Sequence, residues 1–331
     1  MTVKQLYEYI EKILPPRYSE EIDTDGAQAM PHPDREVGRV LVALDPYRAA
    51  VERAISGGFD VLLTHHPLIY GEAVEGTPPA KWLGELNSAG VAAFSFHLRL
   101  DTAKGGVNDI LGELLGVRDA VPFGDEEGTD LGRIGTLDEA VSLFELAERT
   151  SQVLKTKSVK YSNCPDKKVR RIAVAGGATT DFIAPAAALG ADVLIGGEFK
   201  HHAWGYAEGQ GIALIEAGHY HTENPVCQRL ADIVRTAHAG LPAPDKGEEP
   251  HTARIYFIKT RQITAEQLTA FHRQYIGLFA SRPDLLQLIL CAAWNDLGMC
   301  CTALLRVIGR RKELCPAFVV RLSSGGVNCH D

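Results

Sequence analysis

One pattern of apolar segments occurs twice along this sequence, and it restricts the fold more than any other feature. RVLVALDP at residue 39 aligns with RIAVAGGA at 171, and GFDVLL at 58 aligns with GADVLI at 190, so both pairs are 132 residues apart. GVAAFSFH at 90 then matches GIALIEAG at 211, an offset that a longer loop in the first copy reduces to 121. Because the first two matches need no gap across strand, helix and strand, they predict an internal duplication.

Within each copy, short apolar strands alternate with helical segments. In the first copy we predict strands at 37–46, 60–67 and 91–101, with helices at about 47–57 and 80–87 between them. A β-α-β-α-β order with short connections favours a mainly parallel sheet covered by helices. The predicted fold class is therefore α/β, with two similar lobes and a cleft between them.

The pattern divides the chain into three regions. Residues 1–135 form the predicted first lobe, and residues 136–260 form the second, which begins with a linker helix at 136–158. Residues 261–331 carry a capping-box pattern that starts at Thr264, and we predict that they form a helical C-terminal extension. The longest stretch without charge in its second helical segment, 285–295, is too short to span a bilayer.

Composition and charge argue against several classes of protein. A net charge of −8 and a pI near 5.9 disfavour non-specific binding to nucleic acid or to a membrane surface. The N-terminal segment has no uninterrupted apolar core and no small-residue cleavage site, so we predict that it is not a signal peptide. The seven cysteines include no CxxC pair, which fits reduced thiols better than disulfides or a cysteine zinc site. We predict a cytoplasmic protein.

The segment DVLLTHHP at 60–67 places two adjacent histidines at the end of a predicted strand. Pro67 has no backbone N–H to donate to a sheet, so the strand ends at or before it. In open α/β sheets, ligands collect just beyond the C-terminal ends of strands. A pair such as His65 and His66 can begin a metal site, but taken alone it more often caps a sheet and faces solvent.

Other strand ends supply further donors. The first lobe adds His97 and Asp101, and the second adds His219, His221 and Glu223. If two similar lobes face each other, these side chains converge on one cleft. Histidines mixed with carboxylates suit zinc, iron, manganese or nickel. The set is larger than one tetrahedral ion needs and would serve two bridged divalent ions.

Three motifs resemble the signatures of one family in combination and in order. THHPLIYG (64–71), HLRLDTAKGGVND (97–109) and GHYHTE (218–223) resemble those of GTP cyclohydrolase 1 type 2 homologs, also called NIF-three-like proteins. The resemblance covers about residues 1–260. It implies two α/β lobes with a dinuclear metal site between them and a toroidal homohexamer. By this resemblance, the metal ligands are His65, His66, Asp101, His219 and Glu223.

The first-lobe motif departs from the family's usual form, His-Thr-Asn-Leu-Asp-x-Ala-Pro-Gly-Gly. Arg99 and Lys104 occupy positions where the family has Asn and Pro. Their charge either favours an anionic substrate or belongs to solvated surface. The family's Asn-x-Gly-Leu-Gln element is only partly kept within Asp23–Gln28.

Several of the candidates also have simpler interpretations. Asp101 could cap the turn before Gly105, and Glu223 could face the positive end of the following helix. His97 is predicted to be catalytic, although a metal-ligand role fits it as well. We predict that His221 is a neighbour of the ligands and not a ligand itself. Further polar residues end the second-lobe strand that corresponds to the His-His strand, and they line the cleft or are merely solvated: Glu198, Lys200, His201 and His202.

Two functions follow from these residues. The first is a dinuclear metal-dependent hydrolase of the GTP cyclohydrolase 1 type 2 kind, in which metal-activated water attacks a nucleotide or related small molecule and His97 protonates the leaving nitrogen. The alternative is a non-catalytic scaffold or regulatory protein whose ions hold the lobes together. No Walker loop occurs, but Gly176-Gly177 and Gly196-Gly197 could approach phosphates.

Overall fold

Two β-sheets form the framework of the protein in its structure, a computed structural model that describes residues 1–16, 24–125, 129–239 and 254–257. The first sheet has the order β1-β4-β3-β2-β11, in which β1 is antiparallel to β4 and the other neighbours are parallel. Its strands are β1 Gly26–Ala29, β2 Arg39–Ala43, β3 Val61–Thr64, β4 Ala92–Ser95 and β11 Arg254–Phe257. β3 and β4 are buried along their whole length, as expected for central parallel strands.

The second sheet has the order β5-β6-β8-β9-β10-β7, with β8, β9 and β10 parallel at its centre. Its strands are β5 Arg118–Phe123, β6 Gly132–Ser142, β7 Lys160–Tyr161, β8 Lys168–Ala178, β9 Val193–Glu198 and β10 Ala213–Glu216. The predicted α/β class with two sheets is confirmed. The predicted extension at 261–331 lies outside the described residues.

The register of the two sheets shows the same repetition as the sequence. Val40 pairs with Val61 in the first sheet, and Ile172 pairs with Val193 in the second. Residues 132 positions apart therefore occupy equivalent places. β4 and β10 likewise pair with β3 and β9 at residues that the offset of 121 relates. The two copies thus place the same strand ends at the same relative positions.

Helices follow the strands of both sheets. They are α1 Val3–Ile13, α2 Arg48–Ser56, α3 Pro78–Ser88, α4 Leu98–Thr102, α5 Val107–Leu115, α6 Leu143–Leu154, α7 Ile183–Ala188, α8 Ala203–Gly209, α9 His219–Glu223 and α10 Val226–Ala239, with a 3₁₀ turn at Thr180–Phe182. α1 begins at a capping box between Thr2 and Gln5. Among the residues that the structure describes, no helix is both long and apolar enough to cross a membrane.

Two predicted elements are wrong in part. The strand predicted at 91–101 ends at Ser95, because the Asp25 carboxylate accepts the backbone N–H of His97 at 2.7 Å and the chain turns into α4. The linker helix predicted at 136–158 covers only Leu143–Leu154, and the residues before it belong to β6. Ser142 forms a capping box with Glu145, which sets the start of α6.

The chain returns to the first sheet after α9, although our division assigned all of 136–260 to the second lobe. β11 pairs in parallel with β2 of the first sheet. α10 packs in the same apolar core as α1, where Leu230 and Val234 share a cluster with Leu6 and Val40. The apolar face of α10 is therefore buried against the first sheet, and α10 connects α9 to the sheet that carries His65 and His66.

The buried face of α1 gives a test of this packing. Ile10 is fully buried, whereas Ile13 of the same helix is 38% exposed. We expect Ile10→Ala to lower the free energy of unfolding by about 2–5 kcal/mol, because it leaves a cavity in the core. The matched Ile13→Ala should change it by about 0.5 kcal/mol. Urea denaturation followed by circular dichroism measures both, and equal losses would contradict the packing described here.

Candidate metal centre

His65 and His66 lie directly beyond the C-terminal end of β3. Thr64 Oγ1 donates to the carbonyl of His66 at 2.7 Å, and the His66 N–H donates to the carbonyl of Leu44 at 3.0 Å. These bonds turn the chain out of the strand. The two imidazole rings therefore lie 4.8 Å apart between centroids instead of on opposite faces of the sheet.

His65 presents one free lone pair inside the protein. Its side chain is fully buried, and its Nδ1 lies 3.0 Å from the carbonyl oxygen of Phe96. Because a carbonyl can only accept, Nδ1 carries the proton and Nε2 holds the lone pair. Nε2 lies 3.6 Å from Asp101 Oδ1 and makes no hydrogen bond with the described residues. Burial lowers the pKa of His65 to about 3, so the ring is neutral at pH 7.

His66 is held between two carboxylates. Its Nδ1 lies 2.8 Å from Asp45 Oδ1, and its Nε2 lies 3.1 Å from Glu223 Oε2. Burial opposes a charge on the ring, but the hydrogen bond with Asp45 and the close contact with the Glu223 carboxylate outweigh it and raise the pKa of His66 to about 10. Carboxylates that hold the far nitrogen of a histidine in this way are common around metal ligands. Our prediction missed Asp45, although its place at the end of the β2 segment RVLVALDP was a signal.

His219 and Glu223 are one turn apart on α9. His219 Nε2 lies 3.0 Å from Glu223 Oε2, and its Nδ1 contacts Glu198 Oε1. Burial disfavours the charged ring, but Glu223 and then Glu198 outweigh it and raise the pKa of His219 to about 9. Burial also opposes charge on Glu223, and the imidazoles of His219 and His66 outweigh it, so the pKa of this carboxyl lies well below its usual range.

The two copies deliver donors at corresponding short helices, but displaced by one residue. His97 precedes α4 and Asp101 lies within it, whereas His219 and Glu223 are the first and last residues of α9. Both pairs are four residues apart, and on α9 this separation places the two side chains on one face. The His-His pair has no such counterpart, because His66 corresponds to Glu198 at the 132-residue offset.

The structure brings every predicted ligand into one cluster. Three overlapping groups each have donor atoms within 4.8 Å of one another, and they are His65 with His66 and His97, His66 with His219 and Glu223, and His65 with Asp101 and Glu223. Glu223 belongs to two of the groups, and its carboxylate has two oxygens with which it could bridge neighbouring ions, whereas each imidazole has one free nitrogen and binds one ion. The buried Nε2 of His65, which lacks a hydrogen bond in the described part of the chain, fits a metal ligand better than a structural residue.

Three glycines of the two pairs, Gly176, Gly177 and Gly197, make room for α9. A Cβ atom on Gly177 would overlap Glu223 Oε1, and one on Gly176 would lie 3.1 Å from Glu223 Cγ. A Cβ on Gly197 would lie 2.9 Å from the Cα of His219. These close approaches explain why strands β8 and β9 carry glycine here. The phosphate role that we considered for the pairs is not needed to account for them.

Arg99 is neither at the rim of the site nor solvated, in contrast to both of our interpretations. Its side chain is 6% exposed and pairs with Asp25 and Glu11. Lys104 is exposed, as are Lys200, His201 and His202. His221 is half-buried next to Tyr220 and belongs to none of the three donor groups.

Comparison with known proteins identifies the family. The profile of the DUF34/NIF3 (NGG1p interacting factor 3) family matches residues 1–242. This chain belongs to the DUF34/NIF3 family. A relative from Nostoc sp., named GTP cyclohydrolase 1 type 2 homolog, is 31% identical over 247 residues, which cover 71% of this chain and 92% of that protein. The predicted resemblance is therefore confirmed.

Solved structures share the fold. The Bacillus cereus protein related to NIF3 has a TM-score of 0.67 at 19% identity, covering 79% of this chain and 98% of that one. Reduced HcgD from Methanocaldococcus jannaschii has a TM-score of 0.65 at 27% identity, covering 78% of this chain and 98% of that one. The two-sheet architecture is thus that of the NIF3 proteins.

Gly177 allows a direct test of the cluster. Gly177→Ala should push Glu223 away from both imidazoles and weaken zinc binding by about tenfold or more. Gly190→Ala is the matched control, since Gly190 also has a positive φ, of 75°, but has no atom within 4 Å of the added Cβ. Both variants carry the strain of alanine at positive φ, about 1–2 kcal/mol, and Gly177→Ala also displaces Glu223, so its melting temperature should fall at least as far as that of Gly190→Ala. Zinc titration of both separates the two effects, and equal affinities would contradict the described packing.

The raised pKa values of His66 and His219 predict that metal binding releases protons. With pKa values of about 10 and 9, both rings are protonated at pH 7 in the metal-free protein, and an ion must displace these protons. We expect release of about two protons at pH 7, an affinity that rises with pH, and a plateau above about pH 10. His65 contributes none, because its pKa is about 3. Calorimetry in buffers of different ionisation enthalpy measures this release, and an affinity independent of pH would contradict it.

Proposed function

We propose that this protein is a dinuclear metal-dependent hydrolase that acts on a nucleotide or a related small molecule. The observation that carries the proposal is that Glu223, whose carboxylate has two oxygens, belongs to two donor groups, one with His66 and His219 and one with His65 and Asp101. The name GTP cyclohydrolase 1 type 2 homolog, borne by the relative from Nostoc, supports a nucleotide as the substrate class. The nucleotide that this name specifies is GTP.

The ions would be held by His65, His66, Asp101, His219 and Glu223. Imidazole and carboxylate donors suit divalent zinc, iron, manganese or nickel. When bound, a pair of such ions lowers the pKa of water and polarises the group that it attacks. The residues around the ligands fix their orientation: the Phe96 carbonyl sets the tautomer of His65, Asp45 holds His66, and Glu198 contacts His219.

His97 is the residue that we propose as general acid. It is half-buried, whereas His65, His66, Asp101 and Glu223 are buried. Its ring lies 5.2 Å from that of His65 and 5.8 Å from that of Tyr70, which is 60% exposed. His97 therefore lies between the cluster and solvent, where an imidazolium can give its proton to a leaving nitrogen and recover one from water.

A non-catalytic role for the ions is the second candidate. His65 and His66 follow a strand of the first sheet, whereas His219 and Glu223 follow a strand of the second. Ions in this cluster would therefore tie the two sheets together, as in a scaffold or regulatory protein. Structural metals have filled coordination shells, whereas catalytic ones keep a position open for water or substrate. The assembly, a homohexamer by family resemblance, is a further proposal that fits either role.

Metal content per subunit tests both candidates. We expect about two ions in the wild-type protein and fewer in His66→Ala and Asp101→Ala, because each change removes a donor from the groups. His201→Ala is the matched control, since His201 is exposed and outside every group. Elemental analysis of untagged protein, purified without chelator, gives the count. Absence of ions in the wild type, or counts unaffected by either variant, would refute the dinuclear centre.

Activity on GTP and other nucleotides then separates the enzyme from the scaffold. His97→Gln should retain both ions and reduce kcat by about 10²–10⁴-fold, as expected for loss of a general acid. Loss of an ion in His97→Gln would instead identify His97 as a ligand. A metal-loaded wild type that turns over no nucleotide, but melts at a lower temperature after metal removal, would favour the scaffold.

A further inference from the structure

A buried ion pair anchors the side of α4 that faces away from the donor cluster. The Arg99 guanidinium donates from Nε and Nη2 to Asp25 Oδ1 at 2.9 and 2.5 Å. Its Nη1 donates to Glu11 Oε1 at 2.5 Å and to the Leu14 carbonyl at 2.9 Å. The side chains of Arg99 and Asp25 are each only 6% exposed, so water screens their attraction little. α4 is thereby joined to α1 and to the segment that precedes β1.

Asp25 connects this anchor to the backbone of the candidate site. Its Oδ2 accepts the N–H of His97 at 2.7 Å, and the His97 carbonyl in turn accepts the N–H of Asp101 at 3.2 Å. α4 has only five residues, and a helix of one turn is unstable without outside contacts. The position of His97 and Asp101 therefore depends on groups outside the helix, and Asp25 is one that binds the backbone directly.

The anchor and the donors occupy different sides of the same turn. Arg99 is two residues from both His97 and Asp101, and residues two apart on a helix do not face each other. Arg99 holds α4 on α1, while Asp101 lies 3.6 Å from His65 and the His97 ring lies 5.2 Å from that of His65. This arrangement fixes the donors without placing the charge of Arg99 among them.

We propose that Arg99 and Asp25 are positioning residues that hold α4, with the metal ligand Asp101 and the general acid His97, at the donor cluster. The inference rests on the proposed metal centre. It also makes a selective prediction, because Asp101, the proposed ligand at α4, belongs to the donor group of His65 and Glu223. The group of His66, His219 and Glu223 includes no residue of α4. Loss of the anchor should therefore weaken one ion and spare the other.

The test is a zinc titration of the full chain with Arg99→Met, Asp25→Asn and the double variant. We expect one of two zinc affinities to fall about 10–100-fold and the other to stay within about twofold. If the two residues act through each other, the double variant should lose no more than the worse single variant. Arg99→Lys keeps the charge but cannot make the forked contact, so its loss should be intermediate. Asp25→Asn is the mildest change, and it alone provides the test in the zinc titration if Arg99→Met does not fold.

Arg35→Met is the matched control for a merely structural effect. Arg35 also pairs with a carboxylate and a carbonyl, Asp60 at 3.2 Å and Gly90 at 2.6 Å, but it lies at the opposite end of the first sheet. We expect this control to lower the melting temperature and leave both zinc affinities unchanged. Equal weakening of both ions in the Arg99 and Asp25 variants, or affinities equal to the wild type, would overturn the positioning role.

The result is different if the proposed metal centre does not exist. A wild-type chain that binds no zinc overturns the proposed function. In that case, amide hydrogen exchange of residues 97–102 in the metal-free proteins decides whether the anchor positions α4. Faster exchange of these residues in Arg99→Met, with no change in Arg35→Met, supports the positioning role. Unchanged exchange in both variants overturns it.

Discussion

The contact of Glu223 Oε2 with two imidazoles is the interaction on which the centre depends. This buried oxygen lies 3.1 Å from His66 Nε2, which follows the first sheet, and 3.0 Å from His219 Nε2, which follows the second. Burial alone would neutralise all three groups, but their mutual attraction keeps the carboxylate charged and the rings protonated. The rings carry protons at these atoms in the metal-free chain, and in the proposed centre an ion would have to displace them.

The rest of the structure supports this contact from both sides. Glycine at 176 and 177 lets α9 approach β8 closely enough for Glu223 to enter the cluster. Asn108 bridges the two halves, since its side chain accepts the N–H of Gly176 at 2.7 Å and its amide reaches the Asp101 carbonyl at 3.4 Å. Arg133 likewise joins β6 to the Thr102 carbonyl at 2.9 Å. The donors are therefore held by contacts between the copies as well as within each copy.

Duplication explains part of the donor set and leaves part of it unique. Both copies place a histidine and a carboxylate four residues apart at a short helix after the third strand, although the pair at α9 lies one residue further along its helix than the pair at α4. The first copy adds His65 and His66, and where His66 would recur the second copy has Glu198, which contacts His219 instead of joining a donor group. The candidate centre is asymmetric, because His65, His66, Asp101 and Glu223 are buried whereas His97 and His219 are half-buried.

The sequence by itself determined the α/β class, the repeat and the strand ends at which the donors lie. Apolar periodicity and the Gly and Pro residues that end strands and helices are local signals. Its motifs also identified the residues that the structure brings together. Only the tertiary structure decided that Arg99 is buried against Asp25, that Asp45 holds His66, and that α10 and β11 return to the first sheet. These facts depend on partners 21 to more than 200 residues away, and local sequence cannot specify distant pairs of this kind.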